Sequence, residues 1–451
     1  MINKIKESIV DNISEMNDLL PIQESYDLLQ RDLIIGGRTS SMFFISGFAK
    51  DIVLMQIIPE LLKVDPGEMP NTAEEFTEMN LAFGAISFLT NFEQVIKNVL
   101  SGVTCLFIDK YKVCIAIDCR AYPARGVEEP SKDKSLRGSR DGFVETIIMN
   151  TSLIRRRLRT PDLITEMREI GTTSKTDVCL CYMKSRVNQE LLDRINKRLD
   201  EIDVDALSMN QQTLANYMHK RRWFNPFPKF KFTERPDTTA ECITEGKVAI
   251  MVDNSPSAMI LPTSIFDLVE EANDYYFPTI TNVYLKLTRL AIILVTLFLT
   301  PTFILLMNNP DWVPSFLDFI LIQDEVNLPI IWQFLILESA IDGLKLAAIN
   351  TPGMLSTPLS IVAGIVLGQF SVSSGWFNAE VMLYMAFVAV ANYTQPNFEL
   401  GYALKFMRLI MLILTAIFGT PGFIVGLLIT FFAVTTNRTL TGRSFLHISK
   451  N

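Results

Sequence analysis

Histidine is nearly missing from the 451-residue sequence, and His219 and His447 have no metal-ligand or triad partner that spacing can identify. The phosphate-binding pattern GxxxxGK[ST] and the zinc-protease pattern HExxH do not occur either. The sequence therefore predicts no catalytic residues, no cofactor and no metal, and we expect a protein that is not an enzyme. The run RRRLR at 155–159 is interpreted as the polar end of a helix, with an anion site as the less favoured alternative.

Cysteine is scarce, and its spacing excludes a disulfide framework or a paired CxxC metal site. The first twenty residues, MINKIKESIVDNISEMNDLL, are mixed in charge and have no apolar core of signal-peptide length. We therefore expect the N-terminal part to stay in the cytoplasm, a reducing compartment. The six cysteines all lie in that part: Cys105, Cys114, Cys119, Cys179, Cys181 and Cys242.

Cationic side chains are almost missing from Leu290 to Ala403, where Lys345 is the only one. That stretch contains runs such as AIILVTLFLTPTFILLM and VMLYMAFVAV, which are not tolerated as exposed surface in water. The net charge of -8 belongs mainly to the preceding residues, and it excludes a sequence-independent nucleic-acid binder, which needs excess Lys and Arg. The sequence predicts a cytoplasmic part of roughly 280 residues followed by a polytopic α-helical membrane domain.

Strand and helix patterns alternate through the N-terminal part. VTCLFIDKYKVCIAID is typical of a hairpin turned at Asp109 and Lys110, and GKVAIMVDNSPSAMILP of another turned at 253–256. The polar stretch ARGVEEPSKDKSLRGSRDG indicates an exposed linker between two subdomains. We predict a cytoplasmic α/β region of two subdomains, 1–132 and 133–280, then a helical membrane domain at 281–440 and a cytoplasmic tail at 441–451.

Six apolar segments make up the predicted membrane domain, at about 288–307, 329–349, 354–370, 376–394, 403–418 and 421–436. The third, fifth and sixth are short for a core of about 30 Å, so each is a candidate for a tilted, half-spanning or re-entrant element. If the chain crosses the membrane six times, one side carries all the Lys and Arg residues that precede the first segment, lie in the fifth or follow the sixth. The loop at 308–328 carries only acidic charges, so the positive-inside rule places both termini in the cytoplasm.

The second segment carries Glu338, Asp342 and Lys345 at positions i, i+4 and i+7, within about 60° of one another on one helix face. A charge at the centre of a membrane helix costs roughly 2.5 to 3.5 kcal/mol, so such residues usually face water or a partner and mark a transport path. An Asp342–Lys345 pair that only holds helices together is the alternative. Glu338 has no obvious cation in the sequence and is the stronger candidate for an ion path.

The third segment places small side chains four residues apart on one helix face. Such strips most often let two helices approach closely, and the alternative is the wall of a narrow pore in a ring of identical subunits. Two carboxylates beside the fourth and fifth segments are candidate vestibule residues, or else solvated surface groups. The strip is Ser356, Ser360, Gly364 and Gly368, with Thr357 and Gln369 near its mouths, and the vestibule candidates are Glu380 and Glu399.

Three long segments resemble the A-subunit group of the GerA spore germination family: SLRGSRDGFVETIIMNTSLIRRRLR, GKVAIMVDNSPSAMILP with the following NDYY, and ANYTQPNFELGYALKFMRLI. The similarity covers essentially the whole chain, and the last segment is most like the family's stage V sporulation branch. The resemblance implies an integral protein of the bacterial spore inner membrane that forms a ring, with a pentamer as the expected homo-oligomer. It also implies release of monovalent cations and amplification of the germinant signal, with a small membrane protein, other germination proteins and membrane lipid as partners.

Two other functions stay open at this point. A non-conducting membrane scaffold that docks germination proteins would tolerate neutralisation of the intramembrane charges. A secondary transporter would show repeat symmetry between its membrane halves, which the sequence does not show. The leading hypothesis is therefore an oligomeric cation channel of spore germination.

Overall fold

The computed structural model describes residues 4–49, 51–81, 85–122, 138–219, 224–350 and 371–437, with the single positions 364, 368, 440, 445 and 446. The chain forms two compact units. Unit 1 comprises Met1–Arg221, Phe230–Pro262 and Asn451, and unit 2 comprises Arg222–Lys229 and Thr263–Lys450. Unit 1 contains two antiparallel sheets with helices, and unit 2 is helical. The predicted fold class, an α/β region followed by a helical part, is confirmed.

The first subdomain of unit 1 is one five-stranded antiparallel sheet between two layers of helices. The order β1-β2-β4-β5-β3 places alternate residues of each strand on opposite faces. Phe43 and Phe107 pack with α1 and α4, whereas Met42 and Leu106 pack with α2 and α3. The elements are α1 (Ile9–Leu19), β1 (Leu28–Ile35), β2 (Arg38–Ile45), α2 (Asp51–Leu62), α3 (Ala73–Asn80), β3 (Ile86–Leu89), α4 (Phe92–Leu100), β4 (Thr104–Ile108) and β5 (Cys114–Ile117).

The second subdomain repeats this arrangement element by element. Its strand order is β6-β7-β9-β10-β8, which is the first order with each strand replaced by its counterpart. Both predicted hairpins, β4–β5 and β9–β10, are confirmed. The elements are α5 (Ile147–Arg157), β6 (Leu163–Ile170), β7 (Thr176–Met183), α6 (Gln189–Asp200), α7 (Asn210–Met218), β8 (Lys231–Thr233), α8 (Pro236–Thr244), β9 (Val248–Val252) and β10 (Ala258–Leu261).

In both subdomains, an aspartate side chain accepts a hydrogen bond from the first backbone amide of a helix. In the first, the amide of Ile9 donates to Asp109 Oδ1 at 3.1 Å, and in the second the amide of Ile147 donates to Asp253 Oδ1 at 3.1 Å. Each aspartate lies in the hairpin turn and precedes a residue with positive φ. The turn between two strands thus fixes the start of a helix distant in sequence.

A buried asparagine completes each of these helix starts. Asn12 accepts a hydrogen bond from the amide of Lys6 and donates to its carbonyl, and Asn150 makes the same two bonds with Val144. The two segments share the pattern Glu-[Ser/Thr]-Ile-x-x-Asn, at 7–12 and 145–150. The similarity of the two subdomains therefore extends from topology to individual side chains.

Unit 2 is built from helices that correspond to five of the six predicted apolar segments. The helices α10 and α14 begin at Thr279 and Phe398 rather than at 288 and 403, because amphipathic turns precede their apolar parts. The third predicted segment, 354–370, lies almost entirely outside the described residues. The helices are α9 (Ile265–Val269), α10 (Thr279–Asn308), α11 (Ile330–Asn350), α12 (Ser371–Ser373), α13 (Ala379–Tyr393), α14 (Phe398–Phe418) and α15 (Thr420–Thr435).

Unit 2 has an apolar core, but it also exposes large apolar side chains and encloses charged ones, unlike a water-soluble domain. Two of its described helices, α10 and α14, are long and apolar enough to cross a membrane. Large apolar side chains are exposed at spacings of three to four residues, as in Leu383, Phe387 and Val390 of α13, whereas Lys405 and Arg408 of α14 are buried. A stripe of this kind is stable against lipid or another apolar surface.

Close packing of α15 against α14 depends on glycine. A Cβ on Gly426 of α15 would lie 2.8 Å from Met411 Cα of α14, closer than non-bonded carbons allow. The two helices are joined at Gly419, where φ is 60°, a value that glycine adopts without strain. Small residues thus let α14 and α15 pack closely.

Candidate charge cluster in the helical unit

The predicted polar stripe of α11 faces two cations of α14. Glu338 Oε1 lies 2.8 Å from Lys405 Nζ, and Glu338 Oε2 lies 2.5 Å from Arg408 Nη2. The three side chains are almost fully enclosed, with exposed fractions of 10% for Glu338, 4% for Lys405 and 2% for Arg408. On α14 the spacing of i and i+3 places the two cations on one face, and on α11 the spacing of i and i+4 does the same for Glu338 and Asp342. The two charged faces can therefore contact each other.

Asp342 completes this network and corrects the sequence interpretation. Its carboxylate also accepts a hydrogen bond from Lys405, and its side chain remains 40% exposed. The structure thus pairs Asp342 with Lys405 rather than with Lys345, and it gives Glu338 the cations that the sequence did not assign. Both cations come from the fifth apolar segment, where they had been interpreted only as markers of membrane orientation.

Lys345 forms no ion pair with Glu338 or Asp342 and lies against aromatic rings. Its Nζ is 4.4 Å from the ring centre of Tyr402, 5.3 Å from that of Phe398 and 5.7 Å from that of Tyr393. A ring face attracts an ammonium group through its quadrupole, and this attraction strengthens when water is excluded. The aromatic rings therefore stabilise a charge in an apolar region without a carboxylate.

A small cavity adjoins the cluster. Its volume is about 10 Å³, enough for about one water-sized sphere. The wall contains all three residues of the predicted stripe and apolar groups from α11 and α13. The polar lining residues are Glu338, Asp342, Lys345, Asn392, Tyr393 and Arg408.

The other predicted site residues are not brought to this cluster by the described part of the chain. A Cβ on Gly364 or Gly368 would meet no atom of the described residues within 4 Å. Glu380 and Glu399 lie in the first turns of α13 and α14, where the helix dipole favours a carboxylate. Four residues of the predicted pore lining fall outside the described residues: Ser356, Thr357, Ser360 and Gln369.

The arginine-rich run of α5 contains an anchor that the sequence interpretation missed. Arg155 is fully buried, with Nε 2.7 Å from Asp27 Oδ2 and Nη2 3.0 Å from Asp27 Oδ1. Its remaining donors bond to the carbonyls of Thr160 and Leu163. A bidentate pair of this kind joins the second subdomain to the first, so Arg155 acts as an internal contact rather than as the solvated end of a helix.

The α/β unit, the apolar exterior of the helical unit and its buried charges together define a membrane protein with a large folded part before its membrane helices. Residues 16–450 match the family model of the Bacillus/Clostridium GerA spore germination protein. The chain belongs to the GerA spore germination family.

Several known proteins are similar to this chain. The chain is 33% identical over 417 residues to stage V sporulation protein AF of Bacillus subtilis, covering 92% of this chain and 84% of that one. It is 28% identical over 359 residues to the uncharacterized membrane protein YfkQ of Bacillus subtilis, covering 79% and 70% of the two chains. The crystal structure of the N-terminal domain of the A subunit of the Bacillus megaterium spore germinant receptor GerK3 is similar at 25% identity, with a TM-score of 0.45, over 58% of this chain and 97% of that chain.

Proposed function

We propose that this chain is a subunit of an oligomeric channel that releases monovalent cations across the spore inner membrane during germination. The observation that carries the proposal is the charge cluster of Glu338, Asp342, Lys405 and Arg408 inside an otherwise apolar helical unit. Ionisable groups at such positions are costly and typically line an ion or proton path. Membership of a spore germination family supplies the physiological setting.

The subunits associate through their membrane helices. The exposed stripe Leu383, Phe387 and Val390 on α13 has a counterpart on α15 in Ile424, Leu428 and Phe431. Asp342 is also partly exposed, and contact with lipid would be costly for its carboxylate. A ring of identical subunits, with a pentamer as the expected form, would turn this carboxylate toward a water-filled axis.

The conduction path follows the small-residue strip of the third segment. Among the described residues, no atom lies within 4 Å of a Cβ added to Gly364 or Gly368, which supports a strip that does not pack against the described helices of its own subunit. Ser356 and Ser360 would supply hydroxyl groups to a passing cation, with Thr357 and Gln369 at the mouths. Glu338 acts as an anchor for α11 beside this path because two cations neutralise it, and Asp342 supplies the accessible negative charge.

The wider assembly follows from the family relationship. We propose that both termini lie in the cytoplasm and that a small membrane protein and other germination proteins bind the ring and use it to amplify the germinant signal. Glu380 and Glu399, in the first turns of their helices, would raise the local cation concentration at an entrance.

Two glycine variants test the channel. Gly364→Leu should keep the oligomer but reduce potassium flux from vesicles containing the purified protein at least tenfold, because the added side chain fills the path. Gly426→Leu is the matched control, and it should disrupt folding because Gly426 packs against the backbone of Met411. Normal flux through correctly assembled Gly364→Leu protein would contradict the proposed path.

A non-conducting scaffold is the second candidate, and the complete pairing of Glu338 favours it. A carboxylate with both oxygens bound to cations is also what a purely structural helix contact would contain. If the parent protein, reconstituted with its partners, gave no flux while still recruiting germination proteins, the scaffold would replace the channel.

A further inference from the structure

We propose that the cavity between α11, α13 and α14 binds one small inorganic anion of about the size of chloride. The first observation is Arg408, whose side chain is almost fully buried and lines the cavity. Its Nη2 donates to Glu338, but Nε and Nη1 have no hydrogen-bond partner among the described residues. A buried guanidinium with two unused donor nitrogens is costly unless water or an ion accepts from them.

The charge balance of the cluster distinguishes an anion from water. Two carboxylates, Glu338 and Asp342, face three cations, Lys345, Lys405 and Arg408. The aromatic rings around Lys345 attract its ammonium group but do not neutralise it. One positive charge is therefore left without a carboxylate in an apolar unit. A monovalent anion would neutralise it and accept from Arg408, whereas water would only satisfy the donors.

The size and walls of the cavity restrict the ligand. A volume of about 10 Å³ leaves room for about one small body, so a monatomic anion fits this space better than a carboxylate, phosphate or sulfate. Ile341, Met385, Val388 and Ala389 form an apolar part of the wall. A halide accepts hydrogen bonds from several directions and tolerates such walls, so the chemistry fits chloride. This site does not depend on conduction, and its occupancy is measured without flux.

Thermal unfolding of the full-length protein in uncharged lipid nanodiscs tests the proposal. Trp312, Trp332 and Trp376 lie in the described part of unit 2, and the described part of unit 1 contains no tryptophan, so tryptophan fluorescence reports unit 2. Potassium chloride should raise its melting temperature saturably relative to potassium gluconate at equal ionic strength, because gluconate is too large for the cavity. Bromide should substitute for chloride and give anomalous scattering beside Arg408 in crystals.

Two charge variants give opposite expectations. Lys345→Met removes a cation from the wall and should weaken chloride binding about tenfold, whereas Asp342→Asn removes a carboxylate and should strengthen it. Lys286→Met is the control, since Lys286 pairs with Glu270 on the surface and lies outside the cavity wall, and it should leave chloride affinity unchanged.

Three results would overturn the proposal. Equal melting temperatures in chloride and gluconate would mean that the cavity holds water only. A chloride effect of the same size in Lys345→Met and Asp342→Asn would place the ion elsewhere, and so would a bromide peak away from Arg408.

Discussion

Glu338 of α11 and Arg408 of α14 are joined by a hydrogen bond of 2.5 Å between Oε2 and Nη2, and the other oxygen of Glu338 is held by Lys405 at 2.8 Å. One carboxylate thus fixes two buried cations on the opposing helix. Removing one member of a buried ionic group costs more than the group contributes as a whole, because the remaining charges lose their partner. The network therefore determines how α11 and α14 are placed relative to each other.

The first prediction compares the two carboxylates of this network. Glu338→Gln should lower the free energy of unfolding of unit 2 by about 3 to 5 kcal/mol, because it leaves Arg408 and Lys405 without a buried counter-charge. Asp342→Asn should cost about 1 kcal/mol or less, since Asp342 is partly exposed. Tryptophan fluorescence during denaturant titration measures both. Equal losses in the two variants would contradict the anchoring role of Glu338.

The sequence predicted one half of this site and not the other. Helical periodicity places Glu338 and Asp342 on one face because that relationship is local. Their partners lie 70 and 63 residues further along the chain, and no local pattern states which helices become neighbours. The available signal was the pair Lys405 and Arg408 inside an apolar segment. Their spacing of i and i+3 places both cations on one helix face, as the spacing of i and i+4 does for the carboxylates.

The fold, too, was predicted from the sequence only in part. The hairpins and the α/β character of unit 1 follow from alternating apolar residues and turn residues, which are local features. The repeat of the two subdomains was missed because most of it lies in long-range strand pairing. Only the short pattern shared by 7–12 and 145–150, with its buried Asn12 and Asn150, was visible in the sequence.

The second prediction concerns the contact between the two α/β subdomains. Asp27→Asn should destabilise unit 1 by about 3 to 5 kcal/mol, because Arg155 is completely buried and would lose its counter-charge. Reaction of the six buried cysteines with a thiol dye measures this unfolding, since all six lie in unit 1. Unchanged thiol exposure in Asp27→Asn would show that the subdomains do not depend on this pair.

The third prediction concerns membrane orientation. Single cysteines introduced at Ser135 and Ser449 should be labelled only from the cytoplasmic side, and one at the exposed Asp318 only from the opposite side. The native cysteines are buried and give little background in the folded protein. Because Lys405 and Arg408 are ion-paired inside unit 2, the acidic loop and the cations after the last helix carry this prediction. Labelling of Ser135 and Ser449 from opposite sides would exclude an even number of crossings.

The fourth prediction uses two aspartates of unit 1 whose pKa values are shifted in opposite directions. Partial burial, with the nearby carboxylates of Asp253 and Glu169, raises the pKa of Asp177 above its ordinary value of 3.8. Hydrogen bonds from the Arg120 side chain hold the pKa of Asp118 below 3.8. The ionised form is therefore disfavoured by folding at Asp177 and favoured by folding at Asp118.

These shifts determine how each variant responds to pH. A raised pKa in the folded state means that ionised Asp177 lowers stability above that pKa, so Asp177→Asn should stabilise unit 1 by up to about 1 kcal/mol at neutral pH. Asp118→Asn should destabilise it by a similar amount, because the stability from a lowered pKa is fully present above the unfolded value. Both effects should fade in acid. The effect of Asp177→Asn fades as the pH falls through the folded and then the unfolded pKa of Asp177, and the effect of Asp118→Asn fades as the pH falls through the folded pKa of Asp118. Unfolding detected with a dipyridyl disulfide, which also reacts with thiols in acid, follows both variants from about pH 7 down to about pH 3. Loss of stability in Asp177→Asn at neutral pH, or a gain that persists in acid, would show that its carboxylate is stabilised by a contact other than those in this structure.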